Sequence, residues 1–145
     1  MKLELELVPK STWGWNLRSI LSAKQWDKIR RGVYKASNYH CDICGGQGSA
    51  HPVECHEKWV YDDSTHIQRL VGLEALCPEC HHCRHMGRTI ALGLGDQALR
   101  HMAQVNGSTV DKMRDLVSVS FQVWEERSRF KWTLDTTWID SRKEQ

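Results

Sequence analysis

The chain has 145 residues, 40% of them apolar, which suffices for one domain with a modest core. A formal net charge of +2 excludes the global basic field that marks wholesale nucleic-acid binding. No apolar run approaches membrane-span length, and no signal-type apolar stretch opens the chain, so we expect a cytoplasmic protein. Its six cysteines then read as metal ligands and free thiols, not disulfides. Seven tryptophans stand out, and their expected use is burial in a small core.

"MKLELELVP" alternates apolar and charged residues and predicts a short, half-exposed strand. "SAKQWDKIRRGVYKAS" opens with a capping box, Ser22 to Gln25. Trp26, Ile29, Val33 and Ala36 follow at helical spacing, so a helix delivers the chain to Cys41. The surrounding segment is locally basic, with Arg18, Lys24, Lys28, Arg30, Arg31 and Lys35 against Asp27 alone. Lys28, Arg30, Arg31 and Lys35 are candidate phosphate contacts, although a solvated helix face carries the same pattern.

"HPVECHEKWVYDD" predicts a strand with Val53, Cys55, Glu57 and Trp59 on one face and Glu54 and His56 on the other. "VGLEALC" predicts a second strand, and Pro78 suits the first turn of a following helix. On that helix His81 and His85 stand at i and i+4, so both imidazoles leave one face. His82 points away from them, Cys83 reads as a buried or free thiol, and His40, His51, His66 and His101 carry no spacing signal.

Residues 94–140 form a C-terminal helical extension ending in a strand. "GDQALRHMAQVNG" predicts a helix with Ala98, Leu99, Met102 and Val105 inward, stopped at Gly107. Ser108 and Asp111 resemble a second capping box opening a longer helix through Val110, Met113, Val117, Phe121 and Trp124. "KWTLDTTWI" alternates as a strand would, and the two terminal strands are expected to pair. The helices are expected to complete the core; dimerisation or partner docking is the other use open to them.

Cys41-Asp42-Ile43-Cys44 and Cys77-Pro78-Glu79-Cys80 are two C-x-x-C hooks. Each turns two thiolates to one side, and together they supply the tetrahedral four-sulfur set that zinc favours. Sites of this kind stabilise small folds by about 10–16 kcal/mol. "CPECH" also fits c-type haem attachment, but that chemistry requires export and leaves the first hook unused.

Over residues 26–90, "CDICGG", "VECHEKW", "GLEALCPECH" and His85 resemble the HNH endonucleases, in their zinc-knuckle branch. The resemblance implies an α+β fold within a single domain, residues 1–145. It has a small ββα-metal core stapled by structural zinc at Cys41, Cys44, Cys77 and Cys80. It implies hydrolysis of DNA phosphodiester bonds with a second divalent ion, Mg2+, Mn2+, Ni2+ or Zn2+. His56, His81 and His85 match the positions around that ion, and His56 and Glu57 are the catalytic candidates on the first strand. Two registers fit. In one His56 is the general base and Cys55 stands at a ligand position; in the other His56 binds metal and Glu57 is the base. The family's orienting asparagine falls on Gly72. A catalytically degenerate module that binds nucleic acid or a protein partner is the alternative expectation.

Overall fold

Helix formation near the N-terminus follows from reciprocal caps. Asn16 and Ser19 bond to each other's backbone to open α1 (Leu17–Ile20), and Ser22 and Gln25 do the same for α2 (Ala23–Ala36). The computed structural model describes residues 1–143. In it α2 lays Trp26 and Ile29 against a buried cluster of Leu17, Leu21, Leu70 and Ile139. Lys28, Arg31 and Lys35 are left on the exposed side of the helix.

The fold is α+β, with a three-stranded sheet. β1 (Glu54–Asp62) pairs antiparallel with β2 (Ile67–Leu76), and β3 (Thr133–Asp135) pairs parallel to the far side of β2. The order β1-β2-β3 leaves β1 at an edge. His56 stands opposite Glu74, Lys58 opposite Gly72, and a bulge follows between Lys58 and Trp59. β2 runs directly into α3 (Pro78–Arg84), whose N-cap is Cys77 and whose first residue is Pro78. The chain breaks at His85 (φ −109°, ψ 55°) before α4 (Met86–Ala91).

α5 (Gly95–Asn106) stops at Gly107, which takes a left-handed φ of 58°, while the Ser108 N–H returns to the Ala103 carbonyl. α6 (Val110–Arg127) follows. Ala98, Met102, Met113 and Val117 from α5 and α6 join Leu3, Cys41, Cys77, Cys80 and Met86 in the larger buried cluster. The C-terminal helices therefore complete the core around the cysteines. No helix among the described residues is long and apolar enough to cross a membrane.

Five expectations need correction. Residues 1–9 are extended but belong to no sheet. Their backbone is satisfied by other groups: Asn106 accepts from Leu3 N–H and donates to the Leu3 carbonyl, both at 2.9 Å, and Glu6 N–H reaches the Arg84 carbonyl at 2.8 Å. The terminal segments consequently do not pair; β3 joins β2 instead. The alternation through "KWTLDTTWI" survives as strand only over Thr133–Asp135. The Asp135 carboxylate accepts from Thr137 N–H at 3.1 Å and turns the chain into α7 (Thr137–Asp140). The cap of α6 is Thr109, which accepts from Lys112 N–H at 3.2 Å, because Ser108 is spent on ending α5. Finally, burial explains Trp132 and the half-buried Trp26, Trp59, Trp124 and Trp138, but Trp13 and Trp15 remain 56% and 62% exposed.

Candidate metal centres

Backbone bonds bring the two C-x-x-C hooks together. Asp42 N–H donates to the Ala75 carbonyl and the Asp42 carboxylate accepts from Ala75 N–H, both at 2.8 Å, so the first hook is clipped to the end of β2 beside the second. The knuckle turn closes through Cys41 N–H to the Gly46 carbonyl (2.8 Å), with Gly45 at a φ of 76° that favours glycine. The sulfurs of Cys41, Cys44, Cys77 and Cys80 all lie within 4.8 Å of one another. The Cys44–Cys77 separation is 3.7 Å; a tetrahedron with metal–sulfur distances of about 2.3 Å has an edge of about 3.8 Å. Thiol hydrogen bonds from Cys77, then Cys80, push Cys41 far down, and the same contact with Cys41 pushes Cys77 up to about 12. Four adjacent thiols do not ionise together without a cation among them, so this cluster can hold a metal ion such as zinc. His101 of α5, at 3.1 Å, lies against Cys80 Sγ.

A second cluster forms where β1 meets the end of α3. One ring nitrogen from each of His56, His81 and His85 lies within 4.8 Å of the other two, and the ring centroids are 4.9–5.4 Å apart. At the break His85 sets its ring 4.9 Å from that of His81, one turn back, with the planes at 63°. Two of the rings are oriented from behind. His56 Nδ1–H donates to Glu74 Oε1 at 3.1 Å, and His81 Nδ1–H donates to Glu54 Oε1 at 2.8 Å. A carboxylate on Nδ1 fixes the tautomer and leaves Nε2 as the lone-pair donor, the usual support for a ligating histidine.

The electrostatics favour the neutral form of His56 and His85. Desolvation lowers His56 despite its bond to Glu74, and desolvation, then the neighbouring His81 and His56, push His85 down to about 3. The bond from His81 holds Glu54 down at about 2. Burial pushes Glu74 up, but the bond from His56 and the charge of Arg84, whose Nη2 donates to it at 3.3 Å, outweigh this and leave it lowered. Three converging imidazoles, two of them backed by carboxylates, form a donor set suited to a borderline transition-metal ion.

Because β1 is an edge strand, side chains from both of its faces reach one cleft of about 1190 Å³. His56, His81 and His85 line it, as does Glu57. Glu57 does not join the imidazoles: it accepts from Leu17 N–H at 2.7 Å and from Trp59 Nε1–H at 3.1 Å, anchoring α1. Burial raises its pKa. Of the four basic candidates only Arg30 lines the cleft; Arg31 and Lys35 border a separate shallow hollow with Tyr39, and Lys28 borders neither. Arg30 and Arg31 both pair with Asp27, so α2 directs little free positive charge at the imidazoles. Cys55 is a half-buried thiol pushed up to about 12 by desolvation and plays no ligand part.

Several residues at these sites escape sequence reasoning. Glu54 is placed by alternation on the His56 face, yet nothing in the spacing gives it a partner. Glu74 is identified only by the β1–β2 register, and His101 only by the packing of α5 on α3. Gly72 stands opposite Lys58, and it is Glu74 on the same strand that holds His56. Compared with protein-family models, curated proteins and solved structures, the chain has no significant match.

Proposed function

We propose that this chain is a metal-dependent endonuclease of the HNH type, hydrolysing DNA phosphodiester bonds in the cytoplasm. The observation that carries the reading is the convergence of His56, His81 and His85, with carboxylates behind two of them, on an open cleft next to a four-cysteine staple. His56, His81 and His85 would hold a divalent ion, and Cys41, Cys44, Cys77 and Cys80 a structural zinc. When bound, the catalytic ion neutralises charge developing on the scissile phosphate and leaving oxygen. With His56 committed to the ion, Glu57 takes the general-base position. Its raised pKa moves it toward useful basicity near neutral pH, and it must release Leu17 or Trp59 to accept a proton from water.

That same engagement of Glu57 favours a second reading, a degenerate module of this fold that binds nucleic acid or a protein partner without cutting. A plasmid-nicking assay with Mg2+, Mn2+, Ni2+ or Zn2+ separates the two. Nicking is expected, strongest with the ions that imidazole prefers and weakest with Mg2+. His56→Ala should abolish it while the melting temperature stays within a few degrees of the parent. Nicking that survives His56→Ala rejects the assigned site; absence of nicking with all four ions leaves the second reading.

A further inference from the structure

Trp13 and Trp15 are the most exposed tryptophans in the molecule, and both line the cleft that holds the imidazoles. Trp13 is not loose surface. Trp13 is pinned through Nε1–H to the Val8 carbonyl at 2.8 Å. One face of its ring is stacked on Trp124, with centroids 5.6 Å apart and planes at 16°. Trp124 is pinned to the same Val8 carbonyl, also at 2.8 Å. Trp13 nevertheless stays 56% exposed and lines the cleft. Between the two indoles Gly14 takes a φ of 83°, a conformation that sets them on either side of a tight turn and that other residues adopt only with strain.

A rigid, half-covered indole loses little freedom when a flat group settles on its open face. Arg18 and Arg88 line the same cleft, neither in an ion pair among the described residues, and supply positive charge for a phosphate backbone. Flat π-surface together with guanidinium groups is how proteins hold nucleic-acid strands whose bases are free to stack. An intact duplex cannot use an indole face, since its bases are already stacked and only their edges are accessible.

We propose that Trp13 and Trp15 form a stacking platform for unpaired DNA bases flanking the phosphate presented to His56, His81 and His85. The natural substrate is therefore DNA with a single-stranded segment, not continuous duplex. This rests on the endonuclease reading for the identity of the ligand, but binding tests it without any cleavage.

The measurement is fluorescence anisotropy of labelled 12-mer single-stranded DNA and the matching duplex, with the full chain as purified and no divalent ion added. Single strands should bind at least tenfold more tightly than duplex. Trp13→Ala and Trp15→Ala should each weaken single-strand binding about tenfold, within the range of one stacked base, and leave duplex binding unchanged. Trp13→Tyr should retain most of the affinity. Trp15 touches less of the fold, so its variant keeps the test valid if Trp13→Ala unfolds. Equal affinity for the two DNA forms, a tenfold preference for single-stranded RNA, or unchanged binding in Trp15→Ala overturns the platform even where nicking persists. Strong single-strand selectivity with no nicking rejects the enzyme and keeps the platform.

Discussion

Glu74 stands opposite His56 across the β1–β2 ladder, buried and shared between the His56 ring and the Arg84 guanidinium. Its task is to hold one imidazole with Nε2 forward. Glu74→Gln keeps the size and can still accept from Nδ1–H, but it removes the charge that raises ligand basicity. The expected result is a tenfold or greater loss of affinity at the imidazole site, in a protein destabilised by only about 1–2 kcal/mol. Titration with Ni2+ of protein whose cysteine site carries zinc checks it; unchanged affinity would mean that Glu74 serves only to neutralise Arg84. The candidate donors were legible in the sequence because ligand chemistry demands particular residue types at short spacings. Hence C-x-x-C twice and histidines at i and i+4. Their supports were not, because Glu74 and His101 are ordinary residues until strand register and helix packing bring them to a ligand.

The N-terminal segment shows at the scale of an element what alternation can and cannot specify. Leu3 is fully buried and Glu4 exposed, as period two requires, but the backbone meets Asn106 and Arg84 instead of a neighbouring strand. Local pattern holds for Leu3 and Glu4 but not for Glu6, which is covered like its apolar neighbours Leu5 and Leu7; the partner is decided by whichever surface covers it. Helices were legible more fully, since caps such as Ser22–Gln25 and the Gly107 stop are local chemistry. Docking this segment buries Glu6, whose carboxylate accepts from Tyr61 Oη–H at 2.6 Å, with Arg84, Glu74 and Arg127 also acting on it. Desolvation raises Glu6 to about 7. An acid raised on folding favours the native state most while protonated in both states. Its contribution is therefore full below about pH 4.5 and is lost as pH rises through 7, a change of about 3 kcal/mol. Glu6→Gln, which stays neutral, should melt several degrees above the parent at pH 8, and the gap should vanish near pH 4.5. Thermal melts of the two proteins across that interval measure it; a gap independent of pH would place Glu6 in water.

For the whole molecule the decisive arrangement is that three of the four hook cysteines, Cys41, Cys77 and Cys80, sit inside the main core, with Cys44 exposed at its margin. Cys41 enters from the loop after α2, Cys77 and Cys80 from the β2–α3 junction, and around them close Leu3, Met86, Met102, Met113 and Val117. An ion held there joins elements far apart in sequence, whereas one held by His56, His81 and His85 joins only the edge strand to the end of α3. The two sites should therefore respond differently to chelation. Neutral imidazole donors at an open cleft release their ion first, to a mild chelator. Metal content should then fall from two per chain to one with circular dichroism unchanged. The thiolate site yields only to a strong chelator. Its binding free energy, about 10–16 kcal/mol, is as large as the whole stability of an ordinary domain, about 5–15 kcal/mol. Removing the second ion should accordingly unfold α5 and α6 together with the sheet, in one transition, and adding zinc should restore both. Metal analysis alongside far-ultraviolet dichroism follows the two steps. A fully chelated protein that keeps its helices would show that the apolar contacts of Met102 and Met113 hold the core without the sulfur-bound ion.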